Sequence, residues 1–497
     1  MNPQKLSIRD LVASPDLEFH SLANPERSHA AAQAALGRKY KSFKSEVALT
    51  VVLELDNSRF EIHGRMDGIR RVKDGYCIYE IKPVPGNPRQ WRHHSKLLRA
   101  RWQLMLYCDL LQTAPSPFRG KLQKAILLLA GDDGKVCEES IDINTAAGAL
   151  RKRLCAIQKK QEARRSRQCA LESIDRFFEA DKQSDRPLQV SAESKINSDP
   201  LPDRLLLTLP PGAGKTRLAL RFALRAARRL RLPVYWITAK AAGRHTVQEE
   251  IERLQALGLK LSFCWKTTAD RLCSCDSPGE DCPIRIKTQT ALFFGELSAG
   301  ELAEPSACWC PHQIQQYLQT QSHIVIADIN YLLNASSLIQ YPAVLIIDEV
   351  QHFVNRLLDH SRVVIPLRRL KKLMQRLPAS RRLKFSELLN PEWLDDELLS
   401  SNPSLWNELA VLLRQCAVED DLSYTIQRLA ALLAKDPDNY SLTWYSSGLE
   451  SGWIGMIAEP ESFVCESLRQ YPVVAALSGS LPEDPDTLRA LLPGFAE

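Results

Sequence analysis

The spacing of apolar residues changes period repeatedly along the chain, and each change marks an element. EVALTVVLEL (46–55) is dense in β-branched and apolar residues, RFEIHGRMDG (59–68) alternates, and YCIYEIK (76–82) follows the turn KDG. These three stretches predict consecutive strands. RARWQLMLYCDLL (99–111) keeps a helical period instead. Farther on, LLLTL (205–209) is a continuous apolar run ahead of a glycine loop, and TRLALRFALRAARRL (216–230) behind the loop is an amphipathic helix. PVYWITAKAAGRHTVQEEIERL (233–254) predicts another strand and helix, and AVLII (343–347) another buried strand, in the alternating order of an α/β domain. Residues 355–440 are leucine-rich and helical, with charge clusters LRRLKKLMQRL and LDDELL; SLTWYSSGLESGWIGMIAEP and YPVVAALSGSL then return to strand patterns. The basic run RKRLCAIQKKQEARRSRQ (151–168) predicts a helix that is either a solvated connection or a phosphate contact. The polar stretch from Asp181 to Asp203, with Pro187, Pro200 and Pro202, reads as an interdomain link.

Composition narrows the class of protein. A length of 497 residues implies about two to four domains. With 44% hydrophobic and 25% charged residues the chain is globular, and a net charge of +6 permits a polyanionic partner without requiring one. The N-terminal MNPQKLSIRD lacks the apolar core of a signal peptide, and no run approaches a membrane span, so a soluble, cytoplasmic protein is expected. Of the thirteen cysteines, Cys77, Cys108, Cys137, Cys155, Cys169, Cys416 and Cys465 are scattered and read as small buried hydrophobes. Cys264, Cys273, Cys275, Cys282, Cys308 and Cys310 crowd together, which in a reducing compartment suggests a metal site.

The strands near the N-terminus carry candidate chemistry. Asp67 closes the second, while Glu80 and Lys82 lie two apart on the third, so both face one side and can converge with Asp67. Two carboxylates suit a hard divalent cation, and a lysine can steady developing phosphate charge; a solvent-facing charged hairpin is the plainer alternative. On the following helix Gln103 and Tyr107 share a face, four residues apart. Here the sequence resembles the RecB-type branch of PD-(D/E)xK nucleases, through His29, Gly64-Arg65-Met66-Asp67, Glu80-Ile81-Lys82 and Gln103 to Tyr107, over roughly residues 20–125. The resemblance implies that Asp67 and Glu80 bind Mg²⁺ or Mn²⁺, that His29 adds a ligand, and that Gln103 and Tyr107 touch DNA. Pro83 departs from the family, which usually has a small polar residue there.

The loop PPGAGKT (210–216) between strand and helix reads as a phosphate-binding loop for ATP. Backbone N–H groups of Gly212, Ala213, Gly214 and Lys215 would cradle phosphate, Lys215 would meet the β- and γ-phosphates, and Thr216 would hold Mg²⁺. The first glycine of the usual pattern is replaced by Leu209, as in many superfamily 2 helicases, which the loop therefore resembles. Strand 343–347 ends in Asp348, which would hold Mg²⁺ through water, and Glu349, which would activate the attacking water. The box reads DEVQ rather than DEAH, with Gln351 in place and His352 one position late.

The crowded cysteines fall between the two halves of this ATP site. Four thiolates suit Zn²⁺ or an iron–sulfur cluster, and spacing alone leaves both open. The arrangement resembles XPD/DinG-type helicases, which carry a four-cysteine insert between the P-loop and the DEAH box. Cys273, Cys275, Cys282 and Cys310 match that insert best, with Cys310-Pro311 leading into a helix and the strand HIVIADINYLL; Cys308 is left spare and Cys264 structural. The resemblance favours a 4Fe-4S cluster over zinc. It also implies a helical arch after the DEVQ box, and it matches the family's SATL coupling motif to Ser478-Gly479-Ser480-Leu481.

The expected fold class is α/β: a PD-(D/E)xK restriction-endonuclease-like domain followed by one RecA-like P-loop lobe with a cysteine-rich insert and a helical arch. The expected boundaries are 1–175 nuclease-like with the basic helix, 176–203 linker, and 204–262, 321–354 and 441–497 RecA-like lobe. Residues 263–320 would be the iron–sulfur insert and 355–440 the arch. The chain is expected to stop before a second RecA-like lobe, which a separate polypeptide could supply. The resemblance implies an ATP-dependent helicase–nuclease of DNA repair acting on single-stranded or forked DNA. An ATP-regulated nuclease without helicase activity, and a non-catalytic DNA-binding remnant, are the alternatives.

Overall fold

The computed structural model describes residues 4–495 apart from 14–25, 56–57, 85, 93, 114–117, 119, 132–133, 183–184, 197–199, 240, 268, 274, 276–280, 307, 334–341, 378–381, 390–402, 416–420, 436–439, 448–449, 458–463, 465–467, 480–491 and 493. LDDELL and the Ser480-Leu481 end of the SGSL motif thus lie outside the described residues. The chain forms two compact units, Met1–Cys169 with Ser262–Ser322, and Ala170–Leu261 with His323–Glu497. Among the described residues no helix is long and apolar enough to cross a membrane.

In the first unit a mixed sheet is built from β1 (Gln4–Ser7), β2 (Phe43–Leu55), β3 (Ser58–Val72), β4 (Gly75–Val84), β5 (Lys121–Gly131) and β6 (Val136–Ile141). The order is β1-β3-β4-β5-β6, with β2 also paired to β3. The pairing of β2, β3 and β4 is antiparallel, as short turns demand, whereas β4 and β5 run parallel because helix Leu98–Thr113 makes the crossover. Alternation sorts β4 onto two faces. Tyr76, Ile78 and Val84 join the larger apolar core with that helix, and Cys77, Tyr79 and Ile81 join a smaller one under Ala32 and Leu36 of helix Glu26–Lys39. The residues 262–322 that complete this unit carry β9 (Phe263–Trp265) and helices Pro283–Phe294 and Pro311–Gln321. Phe293 and Phe294 enter the larger core.

The second unit is organised around parallel strands β7 (Arg204–Thr208), β8 (Val234–Thr238), β10 (Ile324–Asp328), β11 (Val344–Ile347) and β15 (Val473–Ser478). Their order is β7-β15-β11-β8-β10, so the strand latest in sequence lies between those that lead into PPGAGKT and DEVQ. All six residues of β15 are buried, as a strand covered on both faces requires.

Two stretches differ from expectation. Residues 441–457, expected within the RecA-like lobe, form with Tyr440 the strands β13 (Tyr440–Ser447) and β14 (Glu450–Ile457). In a separate sheet β14 pairs antiparallel with β13 and with β12 (Val363–Pro366), which comes from the stretch expected as helical arch. Trp453 of β14 is buried there between Trp406 and Trp444, and its indole N–H donates to the Leu388 carbonyl at 3.0 Å. The polar stretch read as a link is also structured, with helices Ile174–Lys182 and Pro187–Ile196. Asp181, Asp185 and Glu193 have buried side chains, because Arg221 of helix Lys215–Leu230 pairs with Asp181 and Asp185 at 2.6 Å each and with Glu193 at 2.7 Å, whereas Asp203 is exposed. Arg221→Ala would remove the one cation that all three carboxylates share, leaving Arg253 on Asp181, Arg217 on Asp185 and Arg225 on Glu193 as partial compensation, and a loss of about 3 kcal/mol is expected. Urea unfolding of the variant against the parent chain measures it.

Candidate functional site

The first unit gathers six side chains named from sequence around the junction of β3 and β4. Asp67 does not close its strand as expected but lies inside β3, which continues to Val72, and the Ile81 N–H donates to its Oδ2 at 2.7 Å. His29 reaches the same oxygen from helix Glu26–Lys39, with Nε2 at 3.3 Å. Glu80 is 1% exposed; Lys82 Nζ stands 2.7 Å from its Oε1 and Gln103 Nε2 donates to its Oε2 at 3.0 Å. Tyr107, one helical turn beyond Gln103, accepts the Arg65 N–H at 2.9 Å through its hydroxyl. Its ring explains the glycine of the GRMD stretch, since a Cβ on Gly64 would stand 2.5 Å from Tyr107 Cε1.

Glu46 was not singled out in the sequence, yet it belongs to this group. Cross-strand register sets it opposite Asp67, between the Ser45–Gly68 and Val47–Met66 pairs, and its φ of 52° departs from strand geometry. Gln33 donates to Glu46 Oε1 at 2.8 Å and to the Asp67 carbonyl at 3.0 Å, and Arg65 Nε pairs with Glu46 Oε2 at 2.8 Å. Ligand atoms of His29, Glu46 and Asp67 all lie within 4.8 Å of one another. This imidazole and carboxylate set fits a hard divalent cation, as does the concentration of negative charge beside Glu80.

Burial pushes Glu80 up to about 7, with Lys82 opposing and the Asp67 charge adding. Burial alone would lower Lys82, but Glu80 and Asp67 hold it above its ordinary value. Because the Glu80 value is raised in the folded state, its contribution to metal-free stability is present below about pH 4.5 and disappears as pH rises through about 7. A bound cation needs the deprotonated form, so Mn²⁺ affinity is expected to rise about tenfold per pH unit below 7 and to level off above it. Titration of Mn²⁺ binding between pH 5 and pH 8, in steps of about one unit, checks the sign.

In the second unit the PPGAGKT loop leads from β7 into helix Lys215–Leu230, with Gly214 in the left-handed region (φ 84°) as its N-cap. Lys215 and Thr216 open this helix, while Gly212 and Ala213 lie in the turn before it, where the Ala213 N–H donates to the Pro210 carbonyl at 3.2 Å. Lys215 Nζ donates to the Leu209 carbonyl at 3.0 Å. Asp348 and Glu349 follow β11, and burial, with the adjacent Glu349 adding and Lys215 opposing, pushes Asp348 up to about 6. Gly479, just beyond β15, closes the group: a Cβ there would lie 2.8 Å from Lys215 Nζ and 3.1 Å from Glu349 Oε1. Ser478 Oγ donates to Gln351 Oε1 at 3.2 Å, and Gln351 donates in turn to Glu349. The His352 N–H caps the Glu349 carbonyl at 2.9 Å.

Two further residues at this loop escaped the sequence reading. The Arg186 guanidinium donates to the Gly212 carbonyl, and the Gln189 side chain packs where a Cβ on Gly214 would stand. They are coupled, since Gln189 Oε1 accepts the Arg186 N–H at 2.7 Å. Their sequence context, RPLQ beside a proline, carries a visible helix-start signal.

The four cysteines matched from sequence belong to the first unit. Cys282 and Cys310 are the N-caps of helices Pro283–Phe294 and Pro311–Gln321. Cys282 and Cys275 lie 3.7 Å apart, and Cys275 also contacts Cys273. Burial opposes the Cys282 thiolate, but N–H groups of Arg285 and Ile284 and the Cys275 contact bring its titration below the ordinary value. Thiols aimed by helix N-termini suit a thiophilic metal. Cys308 is exposed beside Ser306 Oγ at 3.0 Å, and Cys264 is buried, which pushes it up to about 11.

No family model matches the chain, and no curated protein matches it. Among solved structures, one described as XPD helicase aligns at 15% identity and a TM-score of 0.40 over 63% of this chain, which spans 61% of that protein. A truncated XPD aligns at 12% identity and a TM-score of 0.38 over 62% of this chain and 96% of its own. A structure described as SSO0001 aligns at 20% identity and a TM-score of 0.22, over 31% of this chain and 77% of that one.

Proposed function

We propose that this chain is a DNA-processing protein of helicase type whose second unit binds and turns over ATP and whose first unit cleaves phosphodiesters. The observation that carries the reading is the pair of lysine–carboxylate centres: Lys215 with Asp348 and Glu349, and Lys82 with Glu80 and Asp67. At the first, backbone N–H groups of the loop would hold the phosphates, Lys215 would bear on the β- and γ-oxygens, and Thr216 and Asp348 would hold Mg²⁺. Glu349, fixed by Gln351, would accept the proton of the attacking water.

In the first unit Asp67 and Glu80, with His29 and Glu46 beside them, would hold Mg²⁺ or Mn²⁺, which supplies Lewis-acid polarisation of the phosphodiester. Lys82 carries its proton firmly and would neutralise charge developing on phosphate oxygen. Gln103 keeps Glu80 aimed, and Tyr107, at 2% exposure and bonded to the Arg65 N–H, would brace β3 from within rather than make the DNA contact expected of it. The four-cysteine site would hold a 4Fe-4S cluster or Zn²⁺. DNA with a single-stranded tail is the partner that joins both chemistries.

A tailed duplex incubated with Mn²⁺, with and without ATP, tests the assignment. Cleavage that needs Mn²⁺, together with ATP turnover stimulated by the tail, is the expected result. ATP-independent cleavage without turnover would make the second unit a regulatory module. Neither activity, with intact folding, would refute the catalytic reading.

A further inference from the structure

We propose that the cysteine segment is a clamp on the carboxylate site of its own unit: a metal centre on Cys273, Cys275, Cys282 and Cys310 holds the helix that presents Gln103 and Tyr107. The functional consequence rests on the nuclease reading above, whereas the packing does not. Helix Leu98–Thr113 is used on two sides. On one, Gln103 donates to Glu80 and Tyr107 accepts from Arg65. On the other, Trp102 stacks on Phe293 with ring centroids 4.1 Å apart and planes 12° from parallel, and its indole N–H donates to Thr290 Oγ1 at 3.4 Å. Both aromatic residues are 1% exposed.

Phe293 and Thr290 belong to the helix that Cys282 caps. Cys310 is tied to the same helix, since its N–H donates to Thr288 Oγ1 at 2.8 Å, and Gln289 donates to Gln313 of the helix that Cys310 caps at 3.0 Å. Asp281, next to Cys282, accepts the Ser95 N–H at 2.7 Å just before helix Leu98–Thr113 begins. Arg153 then fastens the far end, donating to the carbonyl of Phe293 at 2.9 Å. The two helix caps that the metal would join are thus the near end of a continuous packed path, and Gln103 and Tyr107 are its far end.

Close-packed interiors transmit displacement, and the free energy of binding a structural metal is folding free energy for the segment that holds it. Release of the metal would free the caps at Cys282 and Cys310, loosen Phe293 against Trp102, and let Gln103 leave Glu80. Gln103 and Tyr107 are positioning residues in this account, and the cysteines act through them.

The test compares the full chain with a Cys282→Ser/Cys310→Ser variant, reading bound iron and zinc, amide hydrogen exchange and Mn²⁺ affinity. The variant is expected to lose its thiolate-bound metal, to exchange faster across residues 98–113, and to bind Mn²⁺ about tenfold more weakly. Exchange in β7 and β8 of the other unit is expected to stay unchanged. Chelation of the parent chain should reproduce the faster exchange, and reloading the metal should reverse it, which a merely misfolded variant would not do. Unchanged exchange across 98–113 after metal loss overturns the proposal, as does a parent chain that binds neither iron nor zinc. Should the variant fail to fold, the chelation and reloading arms decide. A parent chain whose 98–113 exchange follows the thiolate metal but which binds no Mn²⁺ keeps the clamp and sinks the nuclease reading instead.

Discussion

Asp67→Ala is expected to lower metal-dependent cleavage by about 10²–10⁴-fold, with Glu80→Gln in the same range. The two substitutions should differ in how they fail. Asp67 Oδ2 accepts the Ile81 N–H and meets His29, so its loss removes a ligand and also unpins the start of the β4 segment that carries Glu80 and Lys82. Glu80→Gln keeps the volume and a partner for Gln103 but removes the charge that Lys82 neutralises. Mn²⁺ affinity should therefore fall in both, while the pH dependence below 7 should vanish only in Glu80→Gln, because the titrating carboxyl is gone. Cleavage of a labelled single strand, with parallel Mn²⁺ titrations, reads both effects. Cleavage that survives Asp67→Ala would remove this site from the reaction.

Lys215→Ala is expected to weaken ATP binding by about 10²–10³-fold, the scale on which fixed charge around transferring phosphate acts. Glu349→Gln is the informative contrast. Its Oε1 lies against Gly479 and its other oxygen receives Gln351, so glutamine fits the space and nucleotide binding should persist. Turnover should fall by about 10²–10⁴-fold if Glu349 takes the proton from water. Binding of a fluorescent ATP analogue, beside phosphate release on single-stranded DNA, separates the two outcomes. Loss of binding in both variants would instead mean that Glu349 supports the loop rather than the reaction.

Much of this geometry can be read from local spacing. A period of two places Glu80 and Lys82 together, and a helical turn puts Gln103 and Tyr107 on one face, although the bond from Gln103 to Glu80 is seen only in the fold. The order strand, loop, helix locates Lys215. Residues that depend on nonlocal pairing are harder to see. Glu46 is one more polar residue in a strand until a local kink and register with β3 bring it to Asp67. Asp181, Asp185 and Glu193 look solvated because the arginine that neutralises them lies on a later helix. Phe293 belongs to no motif, yet it joins the cysteine segment to the helix of Gln103. Strands β13 and β14 have ordinary strand patterns, and only their pairing with the distant β12 takes them out of the parallel sheet.

The position of β15 between β7 and β11 sets an order of assembly. During synthesis the P-loop strand and the DEVQ strand emerge first, and neither can close the sheet against the other until Val473–Ser478 is made. Until then their inner edges are unpaired and apolar, a state that invites foreign strands or chaperones. Formation of this sheet is therefore coupled to the arrival of β15: a nascent polypeptide would carry the PPGAGKT loop before the strand that brings Gly479 beside Lys215 and Glu349.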